Sequence, residues 1–289
     1  MNRALVALIA LAAALTASAG DNKIVFLAGP PSHGRGDHEH RAGCLLLKSC
    51  LDNVPGVLSE VHSNGWPRDP AAAFAGAAAV VIYSDGGEAH PFLRDDRLKT
   101  IGALMQKGVG LACLHYAVEP TKTAGQREFL EWIGGCFETD WSVNPTWRAD
   151  FKLLPAHALT RGVSPFAITD EWYFHLRFRD GRKGVLPILL AVPPPATMNR
   201  PDGAHSGNPA VRHAVNRGLP QILAWGCERP DSGRGFGFTG GHFHRNWAND
   251  DYRRLVLNAI LWTAKVEVPP AGVESQVTEP ALQRNLDRK

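Results

Sequence analysis

The stretch GVGLACLHYAVE, Gly108 to Glu119, ends an apolar run on Cys113, His115 and Tyr116. A thiol on a strand-to-helix elbow can be a nucleophile if small residues flank it, a histidine base lies within reach and a carboxylate orients that base. Cys113 is followed by Leu114 and the bulky His115, which crowd such an elbow. A histidine base is available at Phe243-His244, but the residue two beyond it is Asn246, not a carboxylate. Cys113 therefore reads as a buried structural cysteine, with a cysteine hydrolase or amidotransferase relative using Cys113 and His244 as the alternative.

Other residues offer metal or proton chemistry. GPPSHGRGDHEH holds His33, His38 and His40 among three glycines, a loop suited to ligation or proton transfer, or else simply solvated. His242 and His244 stand two apart, so extended backbone points both rings the same way, where they can chelate one cation or pair a ligand with a base. In TDEWYF, Asp170 and Glu171 precede aromatic residues, a setting that raises a carboxyl pKa or frames a metal ligand; a cap or an ion pair is the alternative.

These clusters need a scaffold. Apolar runs at 23–29, 56–62, 77–87 and 108–115 alternate with helical stretches at 40–53, 70–76, 90–108 and 123–135. That alternation predicts parallel strands joined by crossover helices, with the sheet covered on both faces. The histidine-bearing segments fall at strand ends, where open parallel sheets bind ligands. After Asp140, shorter strand-like pieces predict a mixed extension of the same sheet. Residues 193–218 read as a long surface loop near the cleft. A helix over 249–264 is expected to start on an Asn249 cap, and 267–289 reads as a loosely held tail.

Composition bounds the rest. Arg3, the apolar run from Ala4 to Leu15 and Ala17-Ser18-Ala19 mark residues 1–19 as a secretory signal peptide. That run is far short of the ~20 residues a membrane span requires. The chain from residue 20 is thus expected to be exported, to a periplasm or beyond the cell. The net charge of +3 and the lack of a basic block before the C-terminus give no argument for nucleic acid. Five scattered cysteines leave at least one unpaired, and Cys44 and Cys50 on one helix are too far apart to bridge.

GPPSHGRGDHEH, GLACLHYAVE, DEWYF and GFTGGHFHRNWANDDYRRLVLNAILWTA, in this order across residues 23–266, together resemble a ThuA-like domain of the trehalose-utilization family. The resemblance implies a flavodoxin-like, class I glutamine amidotransferase-like three-layer sandwich around a mostly parallel sheet, in a domain spanning 20–266. It also implies a polar pocket built from His33, His115, Glu171 and His242, independent of Cys113. The family's last strand more often reads Gly-His-Asp where this chain has GGHFH.

The combined expectation is an exported enzyme acting on a sugar, keto-sugar or glycoside. Its catalytic residues are expected to be His115, Glu171 and His242, with a divalent cation such as Zn²⁺ on His33, His115 and His242 and no nucleotide cofactor. Tyr116, Arg245 and Trp247 are expected to hold the carbohydrate. A non-catalytic sugar-binding module is the remaining alternative.

Overall fold

The computed structural model describes residues 22–288. The signal peptide read at 1–19 lies outside the described residues. The first half of the chain alternates as expected: β1 (Asn22–Ala28), α1 (His40–Leu51), β2 (Val57–His62), α2 (Pro70–Phe74), β3 (Ala77–Tyr83), α3 (Arg97–Gln106), β4 (Gly110–Leu114) and α4 (Gln126–Trp132). Then come β5 (Gly135–Cys136), β6 (Thr146–Phe151), β7 (Phe166–Glu171), β8 (Arg177–Phe178), β9 (Val185–Ala191), α5 (Pro209–Asn216), β10 (Gln221–Glu228), β11 (Arg234–Phe238), α6 (Asp250–Thr263) and α7 (Glu279–Leu282).

Seven strands form one sheet in the order β2-β1-β3-β4-β11-β10-β9. The first five are mutually parallel, and β10 runs antiparallel to both of its neighbours. Continuous apolar strands are what such a sheet needs, because alternate residues enter two different cores. Ile24, Phe26 and Ala28 of β1 pack in one layer with Leu47 of α1 and Leu257 of α6. Val25 and Leu27 pack in the other with Ile101 of α3 and Phe129 of α4. Each fully buried side chain of this size contributes roughly 1.5–3 kcal/mol, so the two layers hold the sheet rigidly. This is the three-layer α/β sandwich that the sequence predicted.

The second half departs from expectation in three places. β9, β10 and β11 extend the main sheet, but β6 with β7 and β5 with β8 form separate two-stranded ribbons. The 193–218 segment is not all loop: α5 starts on Asn208, whose side chain accepts the Val211 N–H with Pro209 at the first turn, and buries Val211 and Val215. Asn-Pro ahead of this short apolar pair is a helix start signal. The segment after 266 is docked, not loose. Val268, Val273 and Leu282 are buried, buried Arg253 donates to Ser275, and the Asp287 N–H donates to Glu39 Oε2 at 2.7 Å. Asn249 caps α6 by accepting the Tyr252 N–H at 2.9 Å, as its position predicted. Among the described residues no helix is long and apolar enough to cross a membrane.

Candidate metal centre at the strand ends

The chain visits β2 on one side of β1 and then returns to build β3 and β4 on the other. That reversal opens a crevice at the carboxyl ends of β1 and β3, where side chains can meet over the sheet. The loop after β1 brings His38, the turn after β3 brings Asp85, the turn after β4 brings His115, and the segment after β11 brings His242. Glu171 arrives from the end of β7, outside the main sheet.

Four of these side chains converge. His38 Nε2 lies 3.1 Å from His115 Nε2 and 3.1 Å from His242 Nδ1. Glu171 Oε2 lies 3.3 Å from His242 Nδ1 and 3.5 Å from His115 Nε2. All four atoms fall within 4.8 Å of one another. Tetrahedral ligands at 2.0–2.1 Å from a zinc ion stand about 3.3 Å apart, which these spacings bracket. Three imidazoles and one carboxylate suit zinc or a neighbouring transition metal better than magnesium or calcium, which favour oxygen.

Partners assign the tautomers. His38 Nδ1 donates to Asp85 Oδ1 at 2.8 Å, and His115 Nδ1 donates to the Thr239 carbonyl at 2.9 Å. The Nε2 atoms of both rings therefore carry lone pairs, and they face each other. Outward hydrogen bonds of this kind orient metal-ligating histidines and raise their basicity as ligands. Burial pushes the His38 pKa down to about 4, with the charges of His33 and His40 adding to the effect and the Asp85 hydrogen bond opposing it. Burial, then His38 and His242, hold His115 well below its ordinary value. His242 behaves oppositely: burial lowers its pKa, but Glu171, Asp37 and Asp170 outweigh that and leave it raised. For Asp85, burial raises the carboxyl, yet His38, His40 and Ser32 outweigh it and hold it low.

A second carboxylate fixes the frame. Asp170 is fully buried and accepts the N–H groups of Gly241 and His242 at 2.9 and 3.1 Å, Asn246 Nδ2 at 2.9 Å and the Tyr252 hydroxyl at 2.6 Å. Of the Asp170-Glu171 pair, the first thus builds the loop and the second faces the histidines. Gly241 has a φ of +116°, and a Cβ there would come within 3.1 Å of the His115 Cβ, so only glycine lets the loop pass over His115. His38 and His115 themselves have φ values of +48° and +56°, left-handed conformations that non-glycine residues adopt at some cost.

The structure brings together His115, Glu171 and His242 from the expected set and adds His38 in the place expected for His33. His33 sits outside the four-atom cluster but forms a second group of possible ligands with His38 and Asp85; its ring is partly exposed and stacks on His38, with centroids 3.6 Å apart. Nothing in the sequence separates the two, because the loop's left-handed residues decide which ring turns inward. Tyr116 lines the approach, half-buried, its ring 6.1 Å from that of His38. Trp247 corrects another expectation. It is fully buried against Tyr83 and Tyr252, which leaves no ring face for a sugar. Arg245 is exposed and lies over the Phe243 ring.

Cys113 is fully buried in the α3–α4 layer, and burial pushes its thiol up. His244 is buried on the other side of the sheet, beside Glu39 and Leu282 of the α1–α7 layer. The two belong to opposite faces, which removes the cysteine–histidine alternative. Sequence reading gave no role to Asp85, Tyr173, Asn144 or Arg200. The Tyr173 hydroxyl lies 3.2 Å from His115 Nε2, and Asn144 Nδ2 donates to Glu171 Oε1 at 3.2 Å. Asp85 alone carried a signal, as the acid at the end of an apolar strand.

The ThuA family model, described as trehalose utilisation, matches residues 69–263. The chain belongs to the ThuA family. The matched segment of this ThuA chain holds Asp85, His115, Glu171 and His242 and starts after His38. Two crystal structures share the fold. A ThuA-like protein from Bacteroides uniformis has a TM-score of 0.57 at 14% identity, over 86% of this chain and 94% of its own. One from Parabacteroides merdae has a TM-score of 0.57 at 14% identity, over 90% of this chain and 94% of its own. No curated protein matches the chain.

Proposed function

We propose that this ThuA-family chain is an exported enzyme that acts on carbohydrate with the help of one divalent transition-metal ion, zinc being the best fit. One observation carries the reading: single ligand atoms of His38, His115, His242 and Glu171, drawn from four separate segments, lie within 4.8 Å of one another, with the Nε2 lone pairs of two buried histidines turned to the same point. His38, His115, His242 and Glu171 are the ligands it calls for. When bound, such an ion polarises a carbonyl or hydroxyl oxygen and eases proton removal near neutral pH. The Tyr173 hydroxyl, beside His115, can hold or give a proton at the substrate oxygen. Tyr116 supplies an aromatic wall. The family's description as trehalose utilisation supports carbohydrate as the substrate class, and residues 1–19 support export.

Elemental analysis of the purified protein tests the centre. About one zinc or related ion per chain, lost in His115→Ala and His242→Ala, is expected. A wild-type protein that takes up no metal after incubation with the ion overturns it. Fractionation of cells with N-terminal sequencing tests export, the expected product beginning at Gly20.

A further inference from the structure

Arg200 stands apart from the other arginines in this part of the fold. Arg177 is spent on Glu138 and Arg212 on Asp202. The half-buried Arg200 guanidinium makes one hydrogen bond among the described residues, from Nη2 to Asn144 Oδ1 at 3.1 Å, and no carboxylate among them pairs with it. The Asn144 amide turns its other end to Glu171, so a single side chain separates this guanidinium from the candidate metal centre. Asn144 also anchors the segment that follows Arg200, its N–H donating to the His205 carbonyl at 3.1 Å. His205 Nε2 in turn holds Glu119 Oε1 at 2.8 Å. Glu119 is 1% exposed, and its Oε2 has no partner among the described residues. The wall beside the histidines therefore offers a cationic fork with free donors, held by Asn144 and backed by His205 and the buried Glu119.

We propose that Arg200 selects a carbohydrate bearing a carboxylate, a uronate or another sugar acid. The inference rests on the carbohydrate reading above and narrows its substrate class. A planar guanidinium matches a carboxylate with two parallel N–H bonds, which a neutral sugar cannot supply. No carboxylate among the described residues hydrogen-bonds the fork; Glu171, whose charge acts on it, is itself held by Asn144 and the histidine cluster.

Calorimetric titration of D-glucuronate and of D-glucose into the full chain supplied with Zn²⁺ tests this, with metal content measured on the same samples. Glucuronate is expected to bind about tenfold or more tighter than glucose, with Arg200→Gln abolishing the difference and Arg200→Lys keeping part of it. Unchanged thermal midpoints in the variants establish that both fold. Equal affinity for the two sugars, no glucuronate binding, or a preference that survives Arg200→Gln overturns the proposal. The metal measurement separates the two ideas. Arg200-dependent glucuronate binding in a metal-free chain supports the sugar-acid inference and overturns the metal centre, and one bound metal without glucuronate preference does the reverse.

Discussion

His38 Nε2 and His115 Nε2 face each other across 3.1 Å, with the proton of each ring on its far side, held by Asp85 and by the Thr239 carbonyl. Each half of the pair comes from a different strand end, and neither ring can turn without breaking a buried hydrogen bond. An ion held there would owe its affinity to these outer partners as well as to the ligands.

Metal affinity should rank accordingly. His38→Ala is expected to reduce it more than Asp85→Asn, which should cost about 10- to 100-fold by loosening the His38 ring. His33→Ala should leave it nearly unchanged, because that ring stacks outside the cluster. Competition with a chromophoric chelator measures all three. Equal losses for His33 and His38 would show that the loop can present either ring.

Asp170 should matter more for stability than for chemistry. Asp170→Ala leaves the N–H groups of Gly241 and His242 and the hydroxyl of Tyr252 without their buried acceptor. A loss of about 3 kcal/mol or more is expected, together with weaker metal binding because His242 is no longer held. Urea denaturation reads the first effect and metal titration the second.

His90 should give the fold an acid-sensitive component outside the cluster. Its Nε2 donates to the Ala117 carbonyl, its Nδ1 accepts the Phe92 N–H, and burial pushes its pKa down to about 4. Above about pH 6.5 neither state binds this proton; below it the unfolded chain does and the folded one does not, so stability falls as pH drops toward 4. His90→Asn keeps an acceptor for Phe92. The stability advantage of wild type over this variant should shrink by up to about 3 kcal/mol between pH 7 and pH 4, as read by denaturation at each pH.

All five cysteines are buried and unpaired, and burial raises the thiol of Cys113. A thiol reagent should find almost none of them in the native protein and all five in denaturant. Cys113→Ala should retain metal and ligand binding. Rapid native labelling of Cys113 with loss of function would reinstate it as a nucleophile.

The sheet and its layers were legible because their physics is local. Residues 24–29 and 77–83 are apolar without alternation, which only a strand buried on both faces tolerates, and helical stretches between such runs call for parallel crossovers. Histidines and acids at strand ends marked where a site should lie. The sequence by itself therefore determined the fold, and it singled out His115, Glu171 and His242 at strand ends, which the fold then brings together.

Only the tertiary structure decided the rest. The choice of His38 over His33 is made by the path of one loop in which His33, Gly36 and His38 all take left-handed conformations. Trp247 reads as an aromatic platform until α6 covers it. Asp170 and Glu171 are adjacent in sequence yet face opposite tasks, because successive residues of a strand point to opposite sides. Asn144 and Arg200 reach Glu171 through a ribbon and a long connection whose path no periodicity encodes. Long-range packing sets these contacts, so their meaning appears only once the chain has closed on itself.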